Sequence, residues 1–284
     1  MKPDTPTIED ALNWAKPRLV DSDSANLDAR VLLCHCLQVP AVYLHTWPEK
    51  PLDPQTWLQY QQLILQREEG VPVAHLTGTR DFWTLILAVN AHTLIPRPET
   101  ELLVETALSL FDESPITALD LGTGTGAIAL ALASERRNWS VIGVDRIEQS
   151  VELATHNARQ NQLEQVRFFT SNWFAALGQQ RFSLIISNPP YVEPHSPYLQ
   201  QGDVRFEPLS ALTAEDDGLA DLKKIISQAS QYLVDSGWLL LEHGHAQGQA
   251  VRDLMHQAGF SGVDTIKDLA GLDRVTLGQW SNTP

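Results

Sequence analysis

Apolar positions recur every three to four residues through the first part of the chain, then give way to short apolar runs punctuated by glycine and proline. "TIEDALNWAKPRL" predicts a helix whose start, Thr7 followed by Asp10, has the form of a capping box. "NLDARVLLCHCLQV" lays Ala29, Leu32, Leu33, Cys36 and Leu37 along one stripe. "DPQTWLQYQQLILQREEG" opens with a proline and closes on Gly70, the usual asymmetry of helix ends. Together these stripes predict a small helical domain over 1–78. Between 79 and 95, "TRDFWTLILAVNAHTLI" alternates and carries β-branched and aromatic residues, which predicts a β-hairpin linking two domains. From 96 to 284 the pattern changes again. "PRPETE" gives an extended entry and "TELLVETALSLF" a helix; then "ITALDL", "GAIALALASE", "SVIGVD", "SVELATHNARQN", "VRFFT" and "FSLIIS" alternate strand with helix. "LADLKKIISQASQYLV" reads as a helix, "GWLLLEHG" as a strand, "GQAVRDLMHQAGF" as a helix, and a strand pair near "VDTIKD" and "RVTLGQW" closes the chain. Such alternation predicts an α/β domain with a doubly wound, largely parallel sheet.

Composition narrows the class. The 284 residues are 43% hydrophobic and 19% charged, an ordinary globular balance. No apolar run approaches the ~20 residues of a membrane span, and "MKPDTPTIEDALNWAK" lacks the apolar stretch of a signal peptide. The net charge of -15 comes without any Lys/Arg cluster, so nucleic acid is a poor candidate substrate and a protein or small molecule fits better. Cys34 and Cys36 lie on different faces of one predicted helix and do not pair, which points to a reduced, cytoplasmic protein.

Two stretches carry chemistry. The first, "DLGTGTGA", joins the first strand of the alternating region to a helix. Its glycines Gly122, Gly124 and Gly126, with Thr123 and Thr125, allow a sharp turn and close approach of a ligand to the backbone. The same string fits a dinucleotide pattern, so NAD must be weighed. Two carboxylates favour S-adenosylmethionine instead. Asp120, just before the loop, is poor company for a pyrophosphate but suits a cationic amino-acid moiety; Asp145, ending the next strand, suits ribose hydroxyls. After "VRFFT", Asn172 is placed to meet the adenine edge and Trp173 its face. No metal is called for.

The second stretch, "ISNPPYV", puts Asn188, Pro189, Pro190 and Tyr191 at the end of the strand "FSLII". Each proline fixes its φ and lacks an N–H, and each biases the preceding residue toward extended conformations. The side-chain oxygen of Asn188 and a nearby main-chain carbonyl are thereby left to converge on one –NH2 group, with Tyr191 free to pack on a planar substrate. An amide –NH2 needs such a clamp because its lone pair is delocalised. Methyl transfer to nitrogen is the chemistry that fits.

At this point the chain resembles the release-factor glutamine methyltransferase family of the PrmC/HemK type. The resemblance rests on "LIPRPETELLVE", "DLGTGTGAIALALA", "SNPPY", "GDVRFEPLSAL" and "LLLEHG", in that order. It implies an α/β fold: a Rossmann-like methyltransferase sheet carrying a small helical domain and a β-hairpin linker. The implied reaction moves a methyl from S-adenosylmethionine to the side-chain amide nitrogen (N5) of the Gly-Gly-Gln glutamine in peptide chain release factors. Carried over, Gly122 to Gly126, Asp145, Trp173 and Asn188 bind the cofactor, Asn188 to Tyr191 hold the glutamine, and the helical domain helps dock the release factor. Departures from the family pattern fall at Asn172 (often Asp), His75 and Leu272. Arg97 and Glu99 are read as site-lining groups or an ion pair, Glu242 and His243 as structural, and "RFEP" as ordering a substrate loop. A nucleic-acid amino-group methyltransferase and a non-catalytic S-adenosylmethionine-binding module are the alternatives.

Overall fold

The computed structural model describes residues 5–281; the outermost residues of the 1–78 and 96–284 ranges lie outside the described residues. Two compact units partition the chain, Met1–Thr79 with Gln200–Phe206, and Arg80–Leu199 with Glu207–Pro284. Among its described residues the first holds five α-helices, α1 (Ile8–Ala15), α2 (Ala25–Leu37), α3 (Ala41–Thr46), α4 (Pro54–Glu68) and α5 (Val73–Thr77). Thr7 and Asp10 close the capping box in both directions, and Asp53 caps α4, with Pro54 at its first position. The predicted α2 stripe packs inward: Ala29, Leu32 and Leu33 are buried, with Cys36 and Leu37 partly covered. Tyr60 of α4 sits fully buried in the same core and donates to the Ala29 carbonyl at 3.1 Å. Cys34 and Cys36 are free thiols, and burial pushes Cys36 up to about 11.

A short hairpin follows, β1 (Thr79–Phe82) and β2 (Leu85–Ala88), turning at Trp83, whose φ of 57° is what a tight hairpin turn demands. The strands stop at Ala88, short of the predicted 95. Then come α6 (Glu101–Leu110), β3 (Thr117–Leu121), α7 (Ala127–Glu135), β4 (Ser140–Asp145), α8 (Glu148–Gln160), β5 (Arg167–Thr170) and β6 (Phe182–Ser187). The remainder is α9 (Leu209–Leu212), α10 (Ala220–Ala229), β7 (Leu233–Glu242), α11 (Gly248–Gln257), β8 (Ser261–Lys267) and β9 (Asp273–Gln279). The seven-stranded sheet runs β5-β4-β3-β6-β7-β9-β8, parallel from β5 to β7, with β9 antiparallel to both neighbours. Strand order reverses at β3, so a crevice opens at the carboxyl ends of β3, β4 and β6, where open α/β sheets take ligands.

Side-chain alternation sends Ala118, Leu184, Ile186 and Leu240 to one face, against α6 and α7. It sends Leu119, Leu121, Ile185, Leu239 and Leu241 to the other, against α10 and α11. A second predicted boundary moves. α10 ends at Ala229 rather than running through "QYLV", because Leu233 already pairs with Phe182, and the β6–β7 register slips between there and Leu184. Among the described residues, no helix is long and apolar enough to cross a membrane.

Candidate active site

The glycine loop leaves β3 at Leu121 and enters α7 at Ala127. Gly122, Gly124 and Gly126 all have positive φ (72°, 55° and 84°), conformations that an L side chain would strain. Beneath the loop, Asp120 is 1% exposed; its Oδ2 accepts from the Thr123 hydroxyl at 2.6 Å and the Ala129 N–H at 3.3 Å, while Oδ1 has no partner. Burial pushes this carboxyl up to about 7, against the pull of those two hydrogen bonds, and Asp145 adds to the rise. Asp145, at the end of β4, accepts from Gly124 N–H at 3.0 Å and Ile147 N–H at 2.9 Å; burial raises it as well. One strand-end carboxylate therefore fixes both the glycine loop and the turn into α8.

Beyond β5, Ser171 pins an abrupt turn. Its Oγ donates to the Trp173 carbonyl at 2.7 Å and accepts from Ala176 N–H at 3.0 Å, and Trp173 takes a φ of 53°. The Trp173 ring stands against Gly122, where an added Cβ would come within 3.4 Å of it. Asn172 is exposed and its Oδ1 faces Lys224 Nζ at 3.4 Å.

Asn188 follows β6 directly, and its Nδ2 donates to Thr100 Oγ1 at 3.0 Å. Tyr191 donates its phenol to Glu242 Oε1 at 3.2 Å; burial and that carboxylate push the phenol well above its usual value. Glu242, 1% exposed at the end of β7, is itself pushed up to about 7 by burial, with Thr100, Arg274 and Tyr191 favouring its ionised form and Glu99 opposing it.

Several of these groups surround one cleft of about 910 Å³ of empty space, open solvent included. Gly122, Thr123, Gly124, Thr125, Asp145, Asn172, Trp173, Asn188 and Pro190 line it. Asp120, Gly126, Pro189 and Tyr191 do not. Asp120 is roofed by Thr123, and Tyr191 is turned toward Glu242 rather than presented to a substrate face. Arg97 lines the cleft too, paired at 2.6 Å with Glu207 of "RFEP" rather than with Glu99. His243 is buried in structural contacts with the Gly244 carbonyl and Thr276.

Three supporting residues escape sequence reasoning. Asn157, fully buried on α8, bonds both the N–H and carbonyl of Ala88 and the Thr125 carbonyl, tying β2 to the glycine loop. Gly143 on β4 leaves room for Phe168 and Thr123; an added Cβ would lie 2.5 Å and 2.7 Å from them. Thr100, in the turn before α6, is the partner of Asn188. A buried asparagine on an amphipathic helix is the one sequence signal among these.

The sheet order, the glycine turn and the strand-end carboxylate define a methyltransferase of the S-adenosylmethionine-dependent, Rossmann-like type. The family described as "PrmC N-terminal domain" matches residues 10–78, and "Methyltransferase domain" matches 112–268. A methyltransferase structure from Pyrococcus furiosus has the same fold, with a TM-score of 0.54 at 20% identity, covering 78% of this chain and 98% of its own. Release factor glutamine methyltransferase of Shewanella oneidensis is 51% identical over 278 residues, covering 98% of this chain and 97% of that protein. The Pseudomonas aeruginosa protein of the same name is 52% identical, covering 93% and 96%, and the Escherichia coli one 48% identical, covering 95% and 97%. The chain belongs to the release factor glutamine methyltransferase family.

Proposed function

We propose that this protein transfers a methyl group from S-adenosylmethionine to the N5 amide nitrogen of the Gly-Gly-Gln glutamine of peptide chain release factors. The observation that carries the reading is a single cleft holding the glycine loop, Asp145 and Asn188 together, in a chain that follows its relatives along nearly its whole length. The donor set suits the cofactor: a buried carboxylate oxygen without a partner lies under the loop, an acceptor ends β4, and an indole stands beside Gly122. Gly122 to Gly126 would cradle it, Asp145 would meet the ribose hydroxyls, and Asn172 and Trp173 would take the adenine, with Asp120 beneath the loop, bonded to Thr123. When bound, S-adenosylmethionine supplies an electrophilic methyl on a sulfonium.

The chain's own work is at the acceptor. Asn188 Oδ1 and a main-chain carbonyl of the Asn-Pro-Pro-Tyr segment accept from the two N–H groups of the glutamine amide. That grip holds the nitrogen in place and favours its loss of planarity. Positioning of this kind is worth roughly 7–11 kcal/mol in favourable cases. No strong base is required, because the methylated nitrogen is acidic and releases its proton afterwards. Residues 1–78 serve as the release-factor docking domain, 79–95 as the linker and 96–284 as the catalytic domain. The reaction belongs in the cytoplasm, where translation termination supplies the acceptor.

The test is mass spectrometry of an unmethylated release factor incubated with this protein and S-adenosylmethionine. One added methyl on the Gly-Gly-Gln glutamine, lost with Asn188→Ala while cofactor affinity is kept, is the expected result. Methyl incorporation into RNA or DNA instead would replace the acceptor, and equal loss of turnover and cofactor affinity would remove the clamp.

A further inference from the structure

We propose that Thr100 is a positioning residue that decides which end of the Asn188 amide faces the cleft, and that Glu242 positions the same segment from its Tyr191 end. The inference rests on Asn188 acting as the glutamine clamp. An asparagine amide has a donor end and an acceptor end of nearly equal size, and only the oxygen can receive a substrate N–H. Something must therefore hold the –NH2 end away from the substrate.

The fold supplies that hold across the parallel strand pair. The register Ser187↔Leu241 sets Asn188 level with Glu242 at neighbouring strand ends. Thr100 is 4% exposed and takes the Asn188 Nδ2 hydrogen at 3.0 Å. A threonine hydroxyl has one hydrogen to give and lone pairs to receive. Glu242, when ionised, is an acceptor only, and the Thr100 hydroxyl is among the groups that favour its ionised form. Thr100 Oγ1 is the acceptor in its bond with Asn188, which leaves its one hydrogen for the side of Glu242. The –NH2 end of Asn188 meets its lone pairs; a flipped amide would set oxygen against oxygen unless the hydroxyl turned its hydrogen from Glu242 to Asn188. Glu242 Oε2 is buried with no hydrogen-bond partner, so a Thr100 hydroxyl turned away from it would leave the carboxylate poorer still in donors nearby.

The same carboxylate holds the far end of the segment. Tyr191 donates to Glu242 Oε1 at 3.2 Å. Glu242 thus holds the Tyr191 end of the Asn-Pro-Pro-Tyr segment and Thr100 the Asn188 end. Arg274 and Glu99 are the other charged groups acting on Glu242, and their effects oppose each other.

The experiment measures kcat, KM for release factor, S-adenosylmethionine Kd by calorimetry and melting temperature for Thr100→Val, Thr100→Ser, Glu242→Gln and Asn188→Ala. Valine keeps the shape and removes the hydroxyl. Thr100→Val is expected to lower kcat by roughly ten- to a hundredfold, with the cofactor Kd changed by less than about twofold. Thr100→Ser restores most of the loss, since it returns the hydroxyl. Glu242→Gln lowers kcat with the cofactor Kd likewise kept. Wild-type kcat in Thr100→Val, or parallel loss of kcat and cofactor affinity, would overturn the proposal. So would a Glu242→Gln protein that loses melting temperature but keeps kcat. If Asn188→Ala is inactive while Thr100→Val is fully active, the clamp stands and the positioning role falls. If Asn188→Ala turns over normally, both fall.

Discussion

Asp120 and Glu242 are carboxylates whose ionisation is opposed chiefly by burial, and both stand at about 7 in the folded chain against ordinary values of 3.8 and 4.5. Between those limits the folded protein holds protons that the unfolded chain has released. The stability they contribute is fully present below the unfolded values and is lost as pH rises through about 7. His243 works against this, because burial holds it below 6.5 and acidification then favours the unfolded chain. Subtracting one variant from wild type removes the histidine contribution. For Asp120→Asn, the stability of wild type relative to the variant is expected to grow as pH falls from about 8 to about 5. Denaturant melts at each pH read this directly, and a difference independent of pH would mean that Asp120 titrates alike in both states. Asp145 lines the cleft, and its oxygens hold Gly124 and Ile147. Asp145→Ala should weaken S-adenosylmethionine binding by roughly tenfold or more, measured by calorimetry. Unchanged binding would show the ribose contact to be misplaced.

Elements matter here because the cleft is made of strand ends and the turns that leave them. Gly143 lies inside β4, where the absence of a side chain lets Phe168 and Thr123 close over the strand. A Cβ there must push the Phe168 ring or the Thr123 hydroxyl aside, and Thr123 is the group bonded to Asp120. Gly143→Ala should therefore cost about 1–3 kcal/mol of stability and weaken cofactor binding with it. Unchanged unfolding midpoint and affinity would show that the strand absorbs the methyl. What could be read from the chain alone follows the same division. The α1 capping box, the α2 stripe, the glycine turn and the strand β6 that leads into the prolines are set by residues close in sequence, and their local structure was legible. The α10–β7 boundary was not, because apolar spacing continues through "QYLV" and only the pairing of Leu233 with Phe182 makes it a strand. Thr100 and Asn157 were equally hidden, as was the pairing of Glu207 with Arg97: the partners lie 88, 69 and 110 residues apart. A pairing over such distances exists only once the sheet has brought strand ends together.

At the scale of the whole molecule, the chain closes separate cores, one among α1 to α4 and two on the faces of the sheet. The helical unit also takes in Gln200–Phe206, a segment that comes from far along the chain. Arg67 holds it there. Its Nε meets Asp28 at 2.8 Å and its Nη1 meets Asp203 at 2.7 Å, with the Val71 carbonyl also in reach at 3.2 Å. Asp28 is 5% exposed, and Ser22 and Ser24 donate to its two oxygens. Arg67→Leu leaves that carboxylate buried without its cation. The cost should be about 3 kcal/mol, the low end for a broken buried pair, because both serine hydroxyls still satisfy the oxygens. Stability in a chain with separate cores is not shared evenly, and local opening reports where it is lost. Hydrogen exchange read by mass spectrometry should therefore quicken in α2, α4 and 200–206 of the variant, while the strands β3 to β7 exchange as in wild type. Faster exchange throughout the sheet by the same factor would mean that the two units unfold as one, and that Arg67 supports the catalytic sheet as much as the helices around it.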